Sequence, residues 1–78
     1  MNQERIGNVY DALRAVTVDE EDRYMFKDTL WLLVNAWLTG SGRPSVPMGA
    51  CLAAVERAGY AFDGNRVLGI STPWWRRP

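Results

Sequence analysis

The first residues of the chain carry apolar side chains at intervals of three and four. These positions are Ile6, Val9, Tyr10, Leu13 and Val16. Apolar residues at this spacing fall on one face of an α-helix, since the helix turns once every 3.6 residues. Asn2 is suited to cap the helix, and Glu4 lies near the positive end of the helix dipole. The pattern predicts an amphipathic helix over residues 3–16.

A second helix is predicted over residues 18–38. Thr17 and Glu20 have the spacing of a capping box, in which the two side chains bond to backbone N–H groups at the start of a helix. The acidic run at residues 19–22 would then fill the first turn, where the helix dipole favours negative charge. A metal site or an acidic docking patch is the alternative interpretation of this run.

The body of this predicted helix has little polar surface. Its apolar residues are Tyr24, Met25, Phe26, Leu30, Trp31, Leu32, Leu33, Val34, Ala36, Trp37 and Leu38. A helix that is apolar nearly all round is either buried at the centre of a fold or shared with a partner. On the second interpretation, Trp31, Val34 and Leu38 form the seam of a partner or homodimer interface. The sequence leaves both interpretations open.

Glycine and proline divide the remainder of the chain into shorter elements. The cluster at residues 40–44 ends the second helix. Helical spacing resumes over residues 46–58 and predicts a third helix that Gly59 closes. Residues 60–70 surround an Asp-Gly-Asn turn and predict a β-hairpin, and residues 71–78 form a tail. The expected fold is one domain, mainly α with a C-terminal β-hairpin.

Length and composition limit what the chain can do. With 78 residues, of which 47% are hydrophobic, it has room for one folded core. It contains no histidine, which excludes Ser-His-Asp triads, Cys-His pairs and histidine-containing zinc sites. A carboxylate-only metal site or acid/base pair stays open, but so short a chain rarely forms a deep cleft. We therefore expect no enzymatic activity, no metal and no cofactor.

Three further features bear on the location of the protein. The single cysteine, Cys51, cannot form an intrachain disulfide, and its small apolar neighbours are typical of a buried side chain. The longest apolar stretch is interrupted by Asn35 and is too short to cross a bilayer. The first residues lack the apolar run of a secretory signal. The expected location is the cytoplasm, without membrane association.

Charge is balanced overall but unevenly distributed. Residues 1–39 have four basic and seven acidic side chains, and residues 40–78 have five basic and two acidic ones. A basic half provides a surface for phosphate groups or for an acidic partner. Its basic residues, which are the predicted nucleic-acid contacts, are Arg43, Arg57, Arg66, Arg76 and Arg77. Arginine suits this role because its guanidinium binds phosphate or guanine through two hydrogen bonds.

The order of helix, long helix, helix and hairpin resembles a three-helix winged-helix domain. The likeness lies in residues 43–70, in a Pro-Ser helix start, an Arg-Ala-Gly-Tyr helix end at residues 57–60 and a Val-Leu-Gly-Ile strand at residues 67–70. These features resemble the C-terminal winged-helix module of phage and plasmid primases. The resemblance implies that Ala53, Ala54 and Arg57 lie on or near a recognition helix. It also implies that residues 63–66 form the wing.

Two functions are expected as alternatives. The first is DNA binding through the basic C-terminal half, with the helix after Ser45 approaching a groove and the arginines contacting phosphates. The second is a protein-interaction module, such as a phage-type inhibitor or anti-defence adaptor that acts on a larger host complex. Its predicted contact residues are Trp31, Val34, Leu38, Trp74 and Trp75. Tryptophan is enriched among interface anchors, and a homodimer is compatible with either function.

Overall fold

The structure, a computed structural model, describes residues 2–72 of the chain. Within them, three helices and three strands follow in the order α1-β1-α2-α3-β2-β3. The helices are α1 (Asn2–Val16), α2 (Lys27–Gly40) and α3 (Met48–Arg57), and the strands are β1 (Val18–Phe26), β2 (Phe62–Asp63) and β3 (Arg66–Ser71). The strands form an antiparallel sheet in the order β1-β3-β2, so β1 is an edge strand.

The fold is a small single domain in which helices pack on a sheet completed by a C-terminal hairpin. This confirms the three helices and the C-terminal hairpin of the predicted class. The prediction that the fold is mainly α-helical is wrong, because the strands make up a substantial share of the regular structure. The helices have 15, 14 and 10 residues and the strands have 9, 2 and 6. The domain is mixed α/β.

Residues 18–26 form a strand rather than the first half of a long helix. Thr17 does not cap a following helix: its hydroxyl donates to the carbonyl oxygen of Leu13 at 2.6 Å, which closes α1. The chain then extends and pairs with β3, with Met25 opposite Val67. The capping box and the acidic first turn favour a helix locally. Pairing with β3 instead satisfies the backbone N–H and C=O groups of residues 18–26 that take part in the ladder, and it also buries Met25. The predicted helix over residues 18–38 is correct only in its second half.

β1 leaves the regular register in its acidic part. Two cross-strand pairs flank the irregular stretch: Asp19–Ile70 and Tyr24–Leu68. The four residues 20–23 therefore face the single residue Gly69 of β3. Gly69 has a φ of +79°, a left-handed conformation that glycine adopts without steric cost. The acidic run protrudes as a bulge from the edge strand instead of filling a helical turn; residues 19–23 are called the acidic bulge.

The core lies between the inner face of the sheet and the three helices. Its largest fully buried side chains are Leu30, Leu38, Ile70, Val9, Val34, Val55, Val67 and Cys51. The helix α2 contacts α1, α3 and β1, and these neighbours cover it from several sides. Because Val34 and Leu38 have no exposed surface, the predicted partner seam through them is wrong. Strand β1, which forms in place of the first half of the predicted long helix, covers part of α2.

The third helix and the hairpin lie where the sequence predicts them. Met48–Arg57 falls within residues 46–58. Gly59 follows with a φ of +102°, and its N–H donates to the carbonyl oxygen of Glu56 at 3.0 Å. The hairpin turns at Gly64 and Asn65, and Gly64 also has a positive φ of +60°. Glycine at these two positions therefore fixes where α3 ends and where the hairpin reverses.

Candidate functional site

The outer face of the sheet, turned away from the helices, exposes aromatic side chains. Along β1, Met25 is buried while its neighbours Tyr24 and Phe26 are each 45% exposed, because successive side chains of a strand point to opposite faces. Cross-strand pairing adds Leu68 opposite Tyr24 and Arg66 opposite Phe26. We call Tyr24, Phe26, Arg66 and Leu68 the outer-sheet patch.

Within the outer-sheet patch, Tyr24 contacts both Phe26 and Arg66. The rings of Tyr24 and Phe26 meet edge to face, with centroids 5.6 Å apart and planes inclined at 78°. The guanidinium carbon of Arg66 lies 4.6 Å from the centroid of the Tyr24 ring, within the range of a cation–π interaction. The patch therefore combines two half-exposed aromatic rings with a positive charge held on one of them.

A second cation lies at the same end of the sheet, next to the hairpin turn. The backbone N–H of Lys27 donates to the carbonyl oxygen of Asn65 at 2.8 Å, which fixes the start of α2 against the turn. The ammonium of Lys27 lies 4.6 Å from the centroid of the Phe62 ring. Lys27 and Arg66 thus place two positive charges at what we call the wing end of the sheet, Arg66 on the outer face and Lys27 beside the inner-facing Phe62. Such a pair attracts anions such as phosphate groups.

The acidic bulge borders the outer-sheet patch on the side opposite to the wing end. Residues 19–22 carry four carboxylates. Arg23 offsets them weakly, because its Nε is 3.9 Å from Oε2 of Glu20 and both side chains are more than a third exposed. Exposed ion pairs of this kind contribute little. The surface is therefore polarised along β1, from negative at the bulge to positive at the wing end.

An open cleft of about 720 Å³ lies at the far end of the sheet from the wing. Its lining comes from the last turns of α1 and α3, the start of β1 and Tyr60. The Tyr60 hydroxyl donates to the Asp19 carboxylate. Burial raises the pKa of Tyr60 to about 12, and the hydrogen bond to Asp19 and its negative charge act in the same direction. Arg57 also lines this cleft. Arg57 and Arg66 therefore lie at opposite ends of the sheet.

Arg43 makes two contacts within the protein. Its Nη1 donates to Oδ2 of Asp11 at 2.9 Å, and its guanidinium carbon lies 4.9 Å from the centroid of the Trp37 ring. The hydrogen bond from Arg43, with a second from Arg14, holds the pKa of Asp11 below its ordinary value. Arg43 therefore ties the segment after α2 to α1.

The structure does not bring the predicted nucleic-acid contacts together. Arg66 lies in the outer-sheet patch and Arg57 lies in the cleft at the other end of the sheet. Arg43 is bound to α1. Arg76 and Arg77 lie outside the described residues. Among Arg43, Arg57 and Arg66, the predicted contacts that the structure describes, Arg66 is the one that adjoins the exposed rings of the outer sheet face.

The predicted partner-interface residues do not form one exposed surface. Val34 and Leu38 belong to the core. Trp31 is half-buried, and its indole N–H donates to the carbonyl oxygen of Val46 at 2.8 Å. Trp74 and Trp75 lie outside the described residues. The exposed large apolar residues of the described chain are instead Tyr24, Phe26, Leu32 and Leu68.

Tyr24 and Phe26 are site residues that the sequence pattern did not reveal. The sequence pattern predicts that they lie with Met25 in one apolar helix, and a helix does not alternate exposed and buried residues along the chain. The available signal was two aromatic residues, a type favoured in strands, on either side of Met25. A stretch of three residues is too short to distinguish a strand from a helix by its period.

The helix α3 offers few groups for reading base pairs. Its exposed positions are Gly49, Ala53, Glu56 and Arg57. Ala54, which the resemblance places on or near the recognition helix, is fully buried. Major-groove recognition needs side chains that hydrogen-bond to base edges, and Glu56 repels phosphate. A sequence-reading role is therefore poorly supported on this helix.

The described residues hold little reactive chemistry. Among residues 2–72, no three His, Cys, Asp or Glu side chains are placed to hold a metal ion together. Burial raises the pKa of the Cys51 thiol to about 11, so the thiol stays protonated at neutral pH and is a poor nucleophile. No helix in this part of the chain has both the length and the apolar character to cross a membrane.

No protein family, curated protein or solved structure matches this chain. The resemblance of residues 43–70 to the primase winged-helix module stays a prediction. The outer-sheet patch is the best-supported candidate site, because three of the four exposed large apolar side chains of the described residues lie there. Exposed apolar side chains gathered on one face are typical of binding surfaces.

Proposed function

We propose that this protein is a non-enzymatic nucleic-acid-binding domain whose contact surface is the outer-sheet patch and the adjoining wing end. One observation carries the proposal: the Arg66 guanidinium lies on the exposed Tyr24 ring, beside the exposed Phe26 ring. Aromatic faces stack on bases, and cations beside them bind the phosphates. The resemblance of residues 43–70 to a winged-helix module supports the same class of ligand.

The proposal replaces the predicted set of arginines with a smaller one. On the outer face Arg66 supplies the positive charge, and Tyr24 and Phe26 supply the stacking surfaces. Lys27 adds a second charge at the wing end, beside Phe62 and the inner face of the sheet. Two cations are few for a nucleic-acid-binding domain, so we expect weak binding that needs low salt. The affinity should fall with salt at a slope of about 0.9 on logarithmic axes for each phosphate neutralised.

The test is the fluorescence anisotropy of a labelled DNA oligonucleotide titrated with the protein at two salt concentrations. We expect binding that weakens as salt rises, and Arg66→Gln should reduce the salt slope by roughly one. The matched control is Arg14→Gln, since Arg14 is 76% exposed and lies on α1, away from the patch. An equal loss in both variants, or binding that does not respond to salt, would contradict the proposal.

The second candidate is the protein-interaction module, such as a phage-type inhibitor or adaptor. Its support is that Tyr24, Phe26 and Leu68 together present apolar surface on one face, as protein interfaces do. It predicts association that tolerates salt and is lost in Phe26→Ser, while Arg66→Gln has little effect. Measurement of binding by the two variants at low and high salt therefore separates this function from the first.

For location we propose the cytoplasm. The support is the buried, unpaired Cys51, since proteins of oxidising compartments that are this small commonly rely on disulfides. Trapping of Cys51 with a thiol reagent in unfolded protein prepared from cells would test this. A reduced thiol is expected, and a mixed disulfide would contradict the proposed location.

A further inference from the structure

The outer-sheet patch differs from a surface that reads duplex DNA. Resting on the proposed function, we infer that its nucleic-acid ligand is single-stranded, with unpaired bases stacked on Tyr24 and Phe26. In a duplex the bases are paired and stacked in parallel, and their faces are covered. Stacking on a protein ring requires a base whose face is free.

The geometry of the two rings favours unpaired bases. Tyr24 and Phe26 are two residues apart on one strand, roughly 6.6 Å along it. That is about twice the 3.4 Å spacing of bases within one strand of a duplex. The ring planes are inclined at 78°, so bases stacked on both rings cannot be parallel. A flexible single strand can splay two bases in this way, and a duplex cannot.

Arg66 fits the same ligand. Its guanidinium lies on the Tyr24 ring, and a guanidinium plane is itself a surface on which bases stack. A base can therefore stack on Arg66 above Tyr24, or replace Arg66 on the ring and leave its charge beside the phosphate. Either arrangement keeps the cation next to the strand, and the planar guanidinium suits stacking on an aromatic face.

The elements that would bind duplex DNA lack the features for it. The exposed face of α3 has one cation, Arg57, next to the anion Glu56. The wing consists of a hairpin whose turn has only Gly64 and Asn65 between the paired residues Asp63 and Arg66. A turn this short has no extended loop to follow the backbone of a duplex.

The acidic bulge sets the direction and length of the bound strand. The carboxylates of residues 20–22 lie in the bulge that precedes Tyr24 on β1, and at moderate salt charges interact over a Debye length of about 10 Å. These carboxylates repel phosphates, so the strand is expected to leave the patch toward the wing end, away from the bulge. With two aromatic rings and two cations, we expect a short site of about four nucleotides or fewer, at the low end of single-strand sites.

The inference is tested with two labelled ligands at about 50 mM salt. One is a thymidine decamer, and the other is a DNA hairpin in which the same run of thymidines is paired with adenines in a duplex stem. The intact chain should bind the decamer at least tenfold more tightly than the hairpin. Tyr24→Leu and Phe26→Leu should each weaken decamer binding by roughly 5- to 150-fold, the equivalent of one stacked base. Tyr24→Phe keeps the ring and should retain the affinity.

Two controls accompany these variants. Leu32→Ala removes an exposed apolar side chain outside the patch and should leave decamer binding unchanged. The urea midpoint of each variant shows whether it is folded, and Tyr24→Phe remains informative even where a leucine variant unfolds. Glu21→Gln with Asp22→Asn should tighten decamer binding a few-fold by removing charges that repel phosphate.

The outcomes separate this inference from the proposed function. Hairpin binding as tight as decamer binding, weakened by Arg66→Gln but not by Phe26→Leu, would overturn the inference and leave nucleic-acid binding in place. Binding of neither ligand at low salt would overturn both. Decamer binding by Tyr24→Leu and Phe26→Leu that is as strong as binding by the intact chain would also overturn the inference, because stacking would then contribute nothing.

Discussion

Asn35 binds Val46 through both ends of its side-chain amide. Its Nδ2 donates to the carbonyl oxygen of Val46 at 2.9 Å, and its Oδ1 accepts the N–H of Val46 at 2.8 Å. The same carbonyl accepts the indole N–H of Trp31. The polar residue in the middle of the apolar run on α2 therefore fixes the segment that leads into α3.

The first prediction concerns this contact. Asn35→Ala leaves the N–H of Val46, a residue that is 5% exposed, without its partner. An unsatisfied buried donor costs about 1–3 kcal/mol, so we expect a loss of about 2 kcal/mol in the free energy of unfolding, measured by urea denaturation with tryptophan fluorescence. The control is Thr39→Ala, whose hydroxyl bonds only to the backbone of its own helix. An equal loss of unfolding free energy in both variants would show that the hydrogen bonds between Asn35 and Val46 do not stabilise the fold.

The second prediction tests which face of α2 is buried. Leu38 is fully buried and Leu32 is 62% exposed on the same helix. Leu38→Ala should lower the free energy of unfolding by roughly 2–5 kcal/mol, as cavity-forming substitutions do, while Leu32→Ala should change it by about 0.5 kcal/mol or less. Urea denaturation at two protein concentrations checks both values. A concentration-dependent midpoint that Leu38→Ala abolishes would instead support a partner seam.

The third prediction concerns pH. Hydrogen bonds from Arg43 and Arg14 lower the pKa of Asp11 in the folded protein from its ordinary value of 3.8. Stabilisation by this group is therefore present above pH 3.8 and is lost as the pH falls through the lower folded pKa. Asp11→Asn should be less stable than the intact chain at neutral pH, and the difference should shrink as the pH falls below 3.8.

Urea midpoints at neutral and acidic pH measure this difference. Arg43→Gln removes the largest cause of the lowered pKa and should reproduce most of the effect of Asp11→Asn. Arg14 is the more exposed of the two arginines that bind Asp11. Arg14→Gln should therefore reproduce a smaller part of the effect of Asp11→Asn, since exposed ion pairs contribute little. A difference between Asp11→Asn and the intact chain that is the same at every pH would rule out this electrostatic origin.

The fourth prediction concerns the bulge of β1. Gly69 has a φ of +79° opposite the acidic bulge, and a side chain in the left-handed region costs about 1–2 kcal/mol. Gly69→Ala should therefore lower the free energy of unfolding by that amount, although space for the added methyl group exists. Gly49 lies within α3 and also has room, so Gly49→Ala should be neutral or stabilising by up to about 1 kcal/mol. Equal effects of the two substitutions on thermal unfolding would contradict this account.

The sequence pattern determined the elements whose signals are local. The apolar spacing of three and four predicted α1 and α3, Gly59 predicted the end of α3, and the Asp-Gly-Asn turn predicted the hairpin. Each of these features depends on backbone preferences or side-chain periods within a few residues, which a sequence displays directly.

Only the tertiary structure decided the middle of the chain and the candidate site. Thr17 and the acidic run carry the local signals of a helix start, and the pairing of β1 with β3 overrides them. That pairing joins residues more than forty positions apart, such as Tyr24 and Leu68, so no local pattern reports it. The outer-sheet patch exists only once these strands lie side by side, because half of its side chains come from each. Burial of α2 was likewise settled by what packs around it and not by its own composition.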